Sequence, residues 1–396
     1  MRYTSPVKKV KVAAIIAEFN PLHDGHRFII DEARRQTGCS HVLIVQSGNF
    51  TQRAQPAIEE KHKRAERAIN AGADAVVEIP NAFATSNAEV FAKAGVKIAT
   101  SFAHVTHLVF GTESSDLTLL RLIASTQVKR QMDFEKYMTT HLKKGISFDN
   151  ARCEVIKKLL PQISANLIEK TMNTPNNILG IEYLKELVRL KSKVKPIGVQ
   201  RIDGVSATKI RAQIIAQEQH SPNCEKTPLR DMYNAFGSIA LFSAMTRLDT
   251  NIYNSNTELV NLFQNVHPVT YEQLQKETPT KRFSISRISR LALHSALGIT
   301  KADIDYLYKH DWLPYANLIA INLEASDLFS AMCLNSKTPL LVRGNKIRPA
   351  KTAYYLRLRE IDRKTELLYE AITGIRHDPR PAFVIRKGPE QLTFGD

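Results

Sequence analysis

Val12-Ala-Ala-Ile-Ile-Ala-Glu18-Phe-Asn20-Pro-Leu-His23-Asp-Gly25-His26-Arg-Phe-Ile-Ile30 is the stretch whose reading sets the fold. Its apolar run has strand length and ends at Ala17, Asn20-Pro21 marks a polar turn, and from about Asp24 the apolar residues Phe28, Ile29 and Ala33 return at helical spacing. This is strand, tight loop, helix. In a parallel sheet such a junction puts a helix N-terminus at the carboxyl edge of a strand, where free N–H groups and the helix dipole favour an anion such as phosphate. His23 and His26, three apart, project from one side of a first helical turn and can both donate to phosphate oxygens. Gly25 leaves no side chain where a nucleotide has to approach the backbone. An ordinary turn with two surface histidines has the same four letters, so the reading needs a second phosphate-binding element.

Further along, His41 to Gln46 is an apolar strand, residues 47–56 form a polar loop, and a helix follows over about 58–71. Strand is expected again at Ala75 to Ile79, helix at 86–99, and strand at His107 to Phe110 before Gly111-Thr-Glu113. Strands alternating with helices of this length build a doubly wound parallel sheet, with ligands at the carboxyl ends of its strands. The loops there hold Ser47, Gly48, Asn49, Gln52, Arg53, Glu78, Pro80, Gly111 and Glu113, although turn chemistry accounts for any one of them. Lys61 and Arg64, on successive helical turns, read as a solvated face, which leaves Arg53 the better candidate for a triphosphate. From Leu117 to Leu160 the pattern is helical, with Met132, Phe134, Tyr137 and Met138 as core. Thr174-Pro-Asn176-Asn177 opens another helix, its amides either capping or reading a base or ribose.

The second phosphate-binding element lies at Lys195 to Arg211. A strand runs into a polar loop and a helix, and Ser206, Thr208 and Arg211 cluster at that helix's first turns. Two hydroxyls and a guanidinium make another anion cradle, and Arg211 can grip phosphate oxygens bidentately. A cradle after the first strand and another after the last are what a nucleoside triphosphate lying across a sheet requires.

At 396 residues the chain has room for two or three domains, and its 43% hydrophobic content is that of a soluble globular protein. No stretch approaches the ~20 apolar residues of a membrane span and no N-terminal signal pattern is present, so a cytoplasmic protein with no membrane partner is expected. Cys39, Cys153, Cys224 and Cys333 form no CxxC pair and read as packing residues. The net charge of +16 favours a polyanionic partner, nucleic acid above all.

After residue 216 the texture changes. Residues 217–229 read as a linker or exposed loop that separates a nucleotide-binding domain (1–216) from a mostly helical, basic domain (230–396). Helical spacing is seen at 237–245, 258–265, 287–297, 304–309 and 352–373. Lys281, Arg282, Arg287 and Arg290 form one basic cluster. Between Arg343 and Lys387 twelve Lys and Arg, Arg357 and Arg359 among them, face five acids, with Tyr354, Tyr355 and Tyr369 interleaved. A solvated helix face explains some of these, and a surface that tracks phosphates and stacks bases explains them as well.

HxGH at 23–26 together with SxTxIR at 206–211 resembles the nucleotidyltransferases that carry the HIGH signature. Glu18 to His26, Ser47-Gly-Asn-Phe-Thr-Gln-Arg53, Phe110-Gly-Thr-Glu113, Pro175-Asn-Asn-Ile-Leu-Gly-Ile-Glu-Tyr183 and Lys281-Arg-Phe-Ser-Ile-Ser-Arg-Ile288 together resemble the bacterial tRNA(Met) cytidine acetate ligase family. The resemblance implies a Rossmann-like α/β domain followed by a helical C-terminal domain. It also implies a two-step reaction: acetate and ATP, with Mg2+ as companion, give acetyl-AMP, and the acetyl group passes to the wobble cytidine of elongator tRNA(Met). His23, His26 and Arg211 would be catalytic. Ile16, Ala17, Glu18, Phe19, Asn20, Pro21, Gly25, Gly111, Asn176, Arg201, Ser206 and Thr208 would bind ATP, and the basic residues 281, 282, 287, 290, 357 and 359 would hold tRNA. Two departures stand out: the family commonly has Arg-Gly-Glu-Pro where Arg53-Ala-Gln-Pro56 stands, and Lys-Trp where Lys61-His62 stands. The other readings of the same cradles are a small-molecule adenylyltransferase and an RNA-binding protein without catalysis.

Overall fold

The computed structural model describes residues 10–201, 206–218, 229–278, 280, 282–334, 336–342, 352–376 and 382–384. Eight strands form one sheet: β1 (Val12–Ala17), β2 (His41–Gln46), β3 (Ala75–Glu78), β4 (Val105–Thr112), β5 (Lys195–Gln200), β6 (Ala316–Asn322), β7 (Leu340–Leu341) and β8 (Ala382–Val384). Their order is β5-β4-β1-β2-β3-β6-β7, with β8 also on β6, and every pairing is parallel except β3 with β6.

The short apolar runs become strands because both faces of the sheet are covered. Along β1, Val12, Ala14 and Ile16 enter one core and Ala13 and Ile15 the other, the two-residue alternation of a pleated strand. The helix Ala88–Ser101 lies close to β1: a Cβ built on Gly95 would stand 2.9 Å from Ile16 Cδ1. β1 lies between β2 and β4, so the crossovers leave it in opposite directions and open a crevice at its carboxyl end.

Helices fill residues 118–189, 229–309 and 353–373 much as the spacing predicts. Met132 is the exception among the expected core residues; it is 87% exposed, while Met138 is buried. The second half is not purely helical. Its strands β6, β7 and β8 complete the sheet begun by the first half. Most of the expected linker, residues 219–228, lies outside the described residues, as do Lys281 and the basic positions 343, 346, 348, 351, 380, 386 and 387. Among the described residues no helix is long and apolar enough to cross a membrane.

Candidate active site

From Ala17 the chain turns through Phe19, at φ 50°, and a cis Asn20–Pro21 peptide into the helix Asp24–Thr37. His23 is the extended residue just before that helix, and its carbonyl accepts the N–H groups of His26 (2.7 Å) and Arg27 (3.1 Å). His26 turns its ring back, so that Nδ1 accepts the His23 N–H at 3.2 Å. The two imidazoles stack with centroids 3.7 Å apart, and Phe19 meets His26 edge-on at 4.9 Å. With Nδ1 an acceptor, the neutral His26 ring carries its proton on Nε2. Burial, then His23 and Arg201, hold His26 well below the usual histidine range, and burial followed by Arg201 lowers His23. Both rings are therefore neutral donors that developing phosphate charge can make more basic. A side chain at Gly25 would stand 3.1 Å from His23 Cε1, so the glycine makes room for the histidine ring itself.

The second cradle lies against the first. Ser206 Oγ accepts the Lys209 N–H at 3.2 Å at the start of the helix Ala207–Glu218. Arg211 donates to Thr208 Oγ1 (3.2 Å) and to the Asn20 carbonyl (2.5 Å). Arg201 leaves β5 exposed, its N–H on Thr112 O at 3.1 Å and its Cγ 3.8 Å from where a Cβ on Gly111 would lie. Asn176 donates to Glu113 Oε1 at 3.0 Å, and Asn177 Oδ1 accepts the Glu113 N–H at 3.3 Å, so these amides fix the loop after β4. Glu18 takes the Gln52 N–H at 2.6 Å; burial pushes its carboxyl up, opposed by that bond and by Arg64, Arg53 and Arg211. Loop residues 18–21, both histidines, Gly111, Asn176, Arg201, Ser206, Thr208 and Arg211 thus share one edge of the sheet. Ile16 is set apart, because its side chain packs in the core against Gly95.

The expected solvated face at Lys61 and Arg64 is buried instead. Arg64 is fully enclosed and donates to the carbonyls of Glu18, Ser47, Gly48 and Glu59, which ties the loops after β1 and β2 together. Lys61 pairs with Glu78 (2.9 Å) and Glu366 (2.6 Å); Asn49 donates to Glu366 at 2.7 Å and Asn317 to Glu78 at 2.9 Å. Glu366 belongs to the helix Ala353–Thr373, 305 residues beyond Lys61, so local sequence carries no signal of the partnership.

A model of the HIGH nucleotidyl transferase family matches residues 10–377. A tRNA(Met) cytidine acetate ligase of Clostridium perfringens (strain SM101 / Type A) is 31% identical over 391 residues, covering 91% of this chain and 95% of the relative; that of Acetivibrio thermocellus is 30% identical over 368 residues, 84% and 88%. The crystal structure of Thermotoga maritima TmcAL bound with alpha-thio ATP superposes with a TM-score of 0.81 at 26% identity, over 92% of this chain and 95% of the other. The chain belongs to the tRNA(Met) cytidine acetate ligase family.

Against the TmcAL pattern, the lost glycine of Arg53-Ala-Gln-Pro56 changes little in backbone: Ala54 is buried and keeps a left-handed φ of 58°, and Phe50 still bridges Pro56. His62 lies with Nδ1 2.9 Å from Glu60 Oε1, beside the first turn of the helix Lys61–Asn70. The basic residues expected to meet RNA are mostly committed elsewhere. Arg357 binds Asp303, Glu360 and the Gly298 carbonyl; Arg359 binds Asn317 and Asp362; Arg287 donates to Asn254 O; Arg290 is half-buried, and desolvation lowers it to about 10. Arg282 is exposed, paired with Glu258 at 2.6 Å. The interleaved tyrosines pack: Tyr354 stacks on Tyr306, Tyr355 abuts Tyr315, and buried Tyr369 donates to Ala57 O.

Proposed function

We propose that this chain is an ATP-dependent tRNA(Met) cytidine acetate ligase. In the first step an acetate oxygen bonds to the α-phosphorus of ATP as the bond to the β-phosphate bridge breaks, giving acetyl-AMP and pyrophosphate. In the second, N4 of the wobble cytidine of elongator tRNA(Met) bonds to the acetyl carbon, AMP departs and one amine proton is released.

The observation that carries this reading is the direct contact between the two cradles, Arg211 on the Asn20 carbonyl beside the stacked His23 and His26. Adenylylation builds charge on the α-phosphate and the leaving pyrophosphate. Fixed N–H donors and a guanidinium aimed at that charge supply catalysis without a covalent protein intermediate. His26 Nε2–H and His23 would meet the α-phosphate, while Arg211, Ser206 and Thr208 would meet the departing phosphates. Arg201 and Gly111 would flank the nucleotide, and Asn176 would shape its pocket through Glu113. Mg2+ would enter with the ATP phosphates. In this proposal residues 1–216 would supply the ATP site, and the basic second half, whose strands complete the same sheet, would supply RNA contacts, Arg282 among them.

The test is mass spectrometry of nucleosides from unmodified elongator tRNA(Met) incubated with the protein, ATP and labelled acetate. Label in N4-acetylcytidine, lost in His26→Ala and Arg211→Ala, supports the assignment. Acetate-dependent pyrophosphate exchange without labelled cytidine would leave the activation step and overturn the acceptor.

A further inference from the structure

At the opposite edge of the sheet, where β1, β4 and β5 begin, lies a cleft of about 650 Å³. Five exposed lysines line it, Lys11, Lys191, Lys193, Lys195 and Lys337, and none has an ion-pair partner among the described residues. Register fixes their neighbourhood: Lys195 pairs with His107 on β4, Lys11 directly precedes β1, and the Lys337 N–H donates to Ser101 O at 3.0 Å. The one lining carboxylate, Asp311, is held by Arg189 at 3.1 Å. Beside it Trp312 leaves 46% of its surface open.

Lysines near helix C-termini often do no more than offset dipoles. Three helices end on this cleft, at Thr37, Ser101 and Leu190, and each contributes roughly −0.5 charge, about −1.5 together. Five lysines exceed that by more than three charges. The surplus is felt inside the protein, because Lys195 and Lys11 add to burial in lowering the His107 imidazole.

We propose that this cleft grips RNA, two or three consecutive phosphates on the lysines and one base on Trp312. The inference rests on the tRNA-modifying reading and gives the RNA a second hold at the amino-terminal edge of the sheet, opposite the proposed ATP site. A phosphate ladder suits several mobile ammonium groups, and an open indole offers a stacking surface that tolerates any base.

The test uses the full chain carrying Lys193→Gln, Lys195→Gln and Lys337→Gln together, and separately Trp312→Ala. Elongator tRNA(Met) and a labelled single-stranded oligoribonucleotide are titrated over a range of salt, with acetate-dependent ATP–pyrophosphate exchange, which needs no RNA, as the control for fold and ATP edge. The triple variant should bind both RNAs about 10- to 100-fold more weakly, with a slope of log K against log salt smaller by about 2, at unchanged exchange. Trp312→Ala should weaken the oligonucleotide several-fold and leave that slope alone. Unchanged affinity and slope overturn the proposal. So does binding of inorganic tripolyphosphate that depends on these lysines while RNA binding does not. Normal cytidine acetylation with lysine-independent RNA binding sinks the cleft and leaves the function standing. Lysine-dependent oligonucleotide binding with no acetylation does the reverse.

Discussion

Arg211 Nη1 donates to the Asn20 main-chain carbonyl at 2.5 Å, joining residues 191 positions apart. The bond joins the loop after β1 to the helix Ala207–Glu218, so one guanidinium sets the first loop and, in the proposed reaction, would also meet the phosphates. Arg211→Ala should lower acetate-dependent pyrophosphate exchange about 10²- to 10³-fold, and Arg211→Lys should recover only part of it, because an ammonium cannot span a carbonyl and a phosphate in one plane. Steady-state exchange at saturating ATP checks this. Equal rates for Lys and wild type would remove the bidentate role.

Gly25 separates packing from chemistry. Gly25→Ala puts a methyl about 3.1 Å from the His23 ring, which has to shift. Loss of 10-fold or more in exchange is expected, with a melting temperature within a few degrees of wild type, since sub-ångström misplacement of His23 would be costly if it has the proposed role, while the glycine is not in the core. Parallel melting curves and exchange assays read the two effects separately.

Arg64 has the opposite balance. Its guanidinium satisfies four loop carbonyls with no access to water, and Arg64→Met would orphan them at a cost of about 3–5 kcal/mol. Urea unfolding measures the loss. A change under about 1 kcal/mol would show that water replaces the guanidinium.

Lys61 sits between Glu78 and Glu366, so removal of the cation leaves two uncompensated negative charges, while removal of one anion leaves none. Lys61→Met leaves two buried carboxylates facing each other, and Glu366→Gln leaves a single matched pair. Lys61→Met should therefore be the more destabilising by about 2 kcal/mol or more, with the double variant less than additive. Denaturant midpoints of the three proteins give the cycle.

His294 makes stability depend on acid. Buried against the carbonyls of Thr85 and Tyr253, it is lowered by burial to about 4. The folded state binds its proton less readily than the unfolded chain, whose histidine titrates near 6.5. The contribution is therefore complete above about 6.5 and is lost as pH falls toward 4, about 3 kcal/mol in all. His294→Gln should flatten the difference in unfolding free energy between pH 7 and pH 4.5 by roughly that amount. An unchanged difference would place the acid sensitivity elsewhere.

What could be read in advance followed local periodicity. β1 to β5, the helices between them and the two turns at 18–26 and 206–211 were legible because each depends on residues within about ten positions of one another. β6 escaped because Ala316–Asn322 is a short apolar run among helices, indistinguishable by period from a buried helical turn. Lys61 and Arg64 were misread for a related reason: a charged pair three apart on a helix looks solvated until partners hundreds of residues away are in place. The same holds for Arg357 and Arg359, whose charge could be counted but whose acids, Asp303 and Asp362, had to be located in space.

The antiparallel seat of β6 against β3 has a consequence for synthesis. A ribosome finishes β3 at Glu78 and makes Ala316 only after more than two hundred further residues, so the outer edge of β3 stays unpaired for most of translation. An open strand edge invites pairing with other nascent chains. The chain's first half thus leaves the ribosome with its two loop-to-helix turns already made and its sheet still open, and the late return of the chain is what closes that edge.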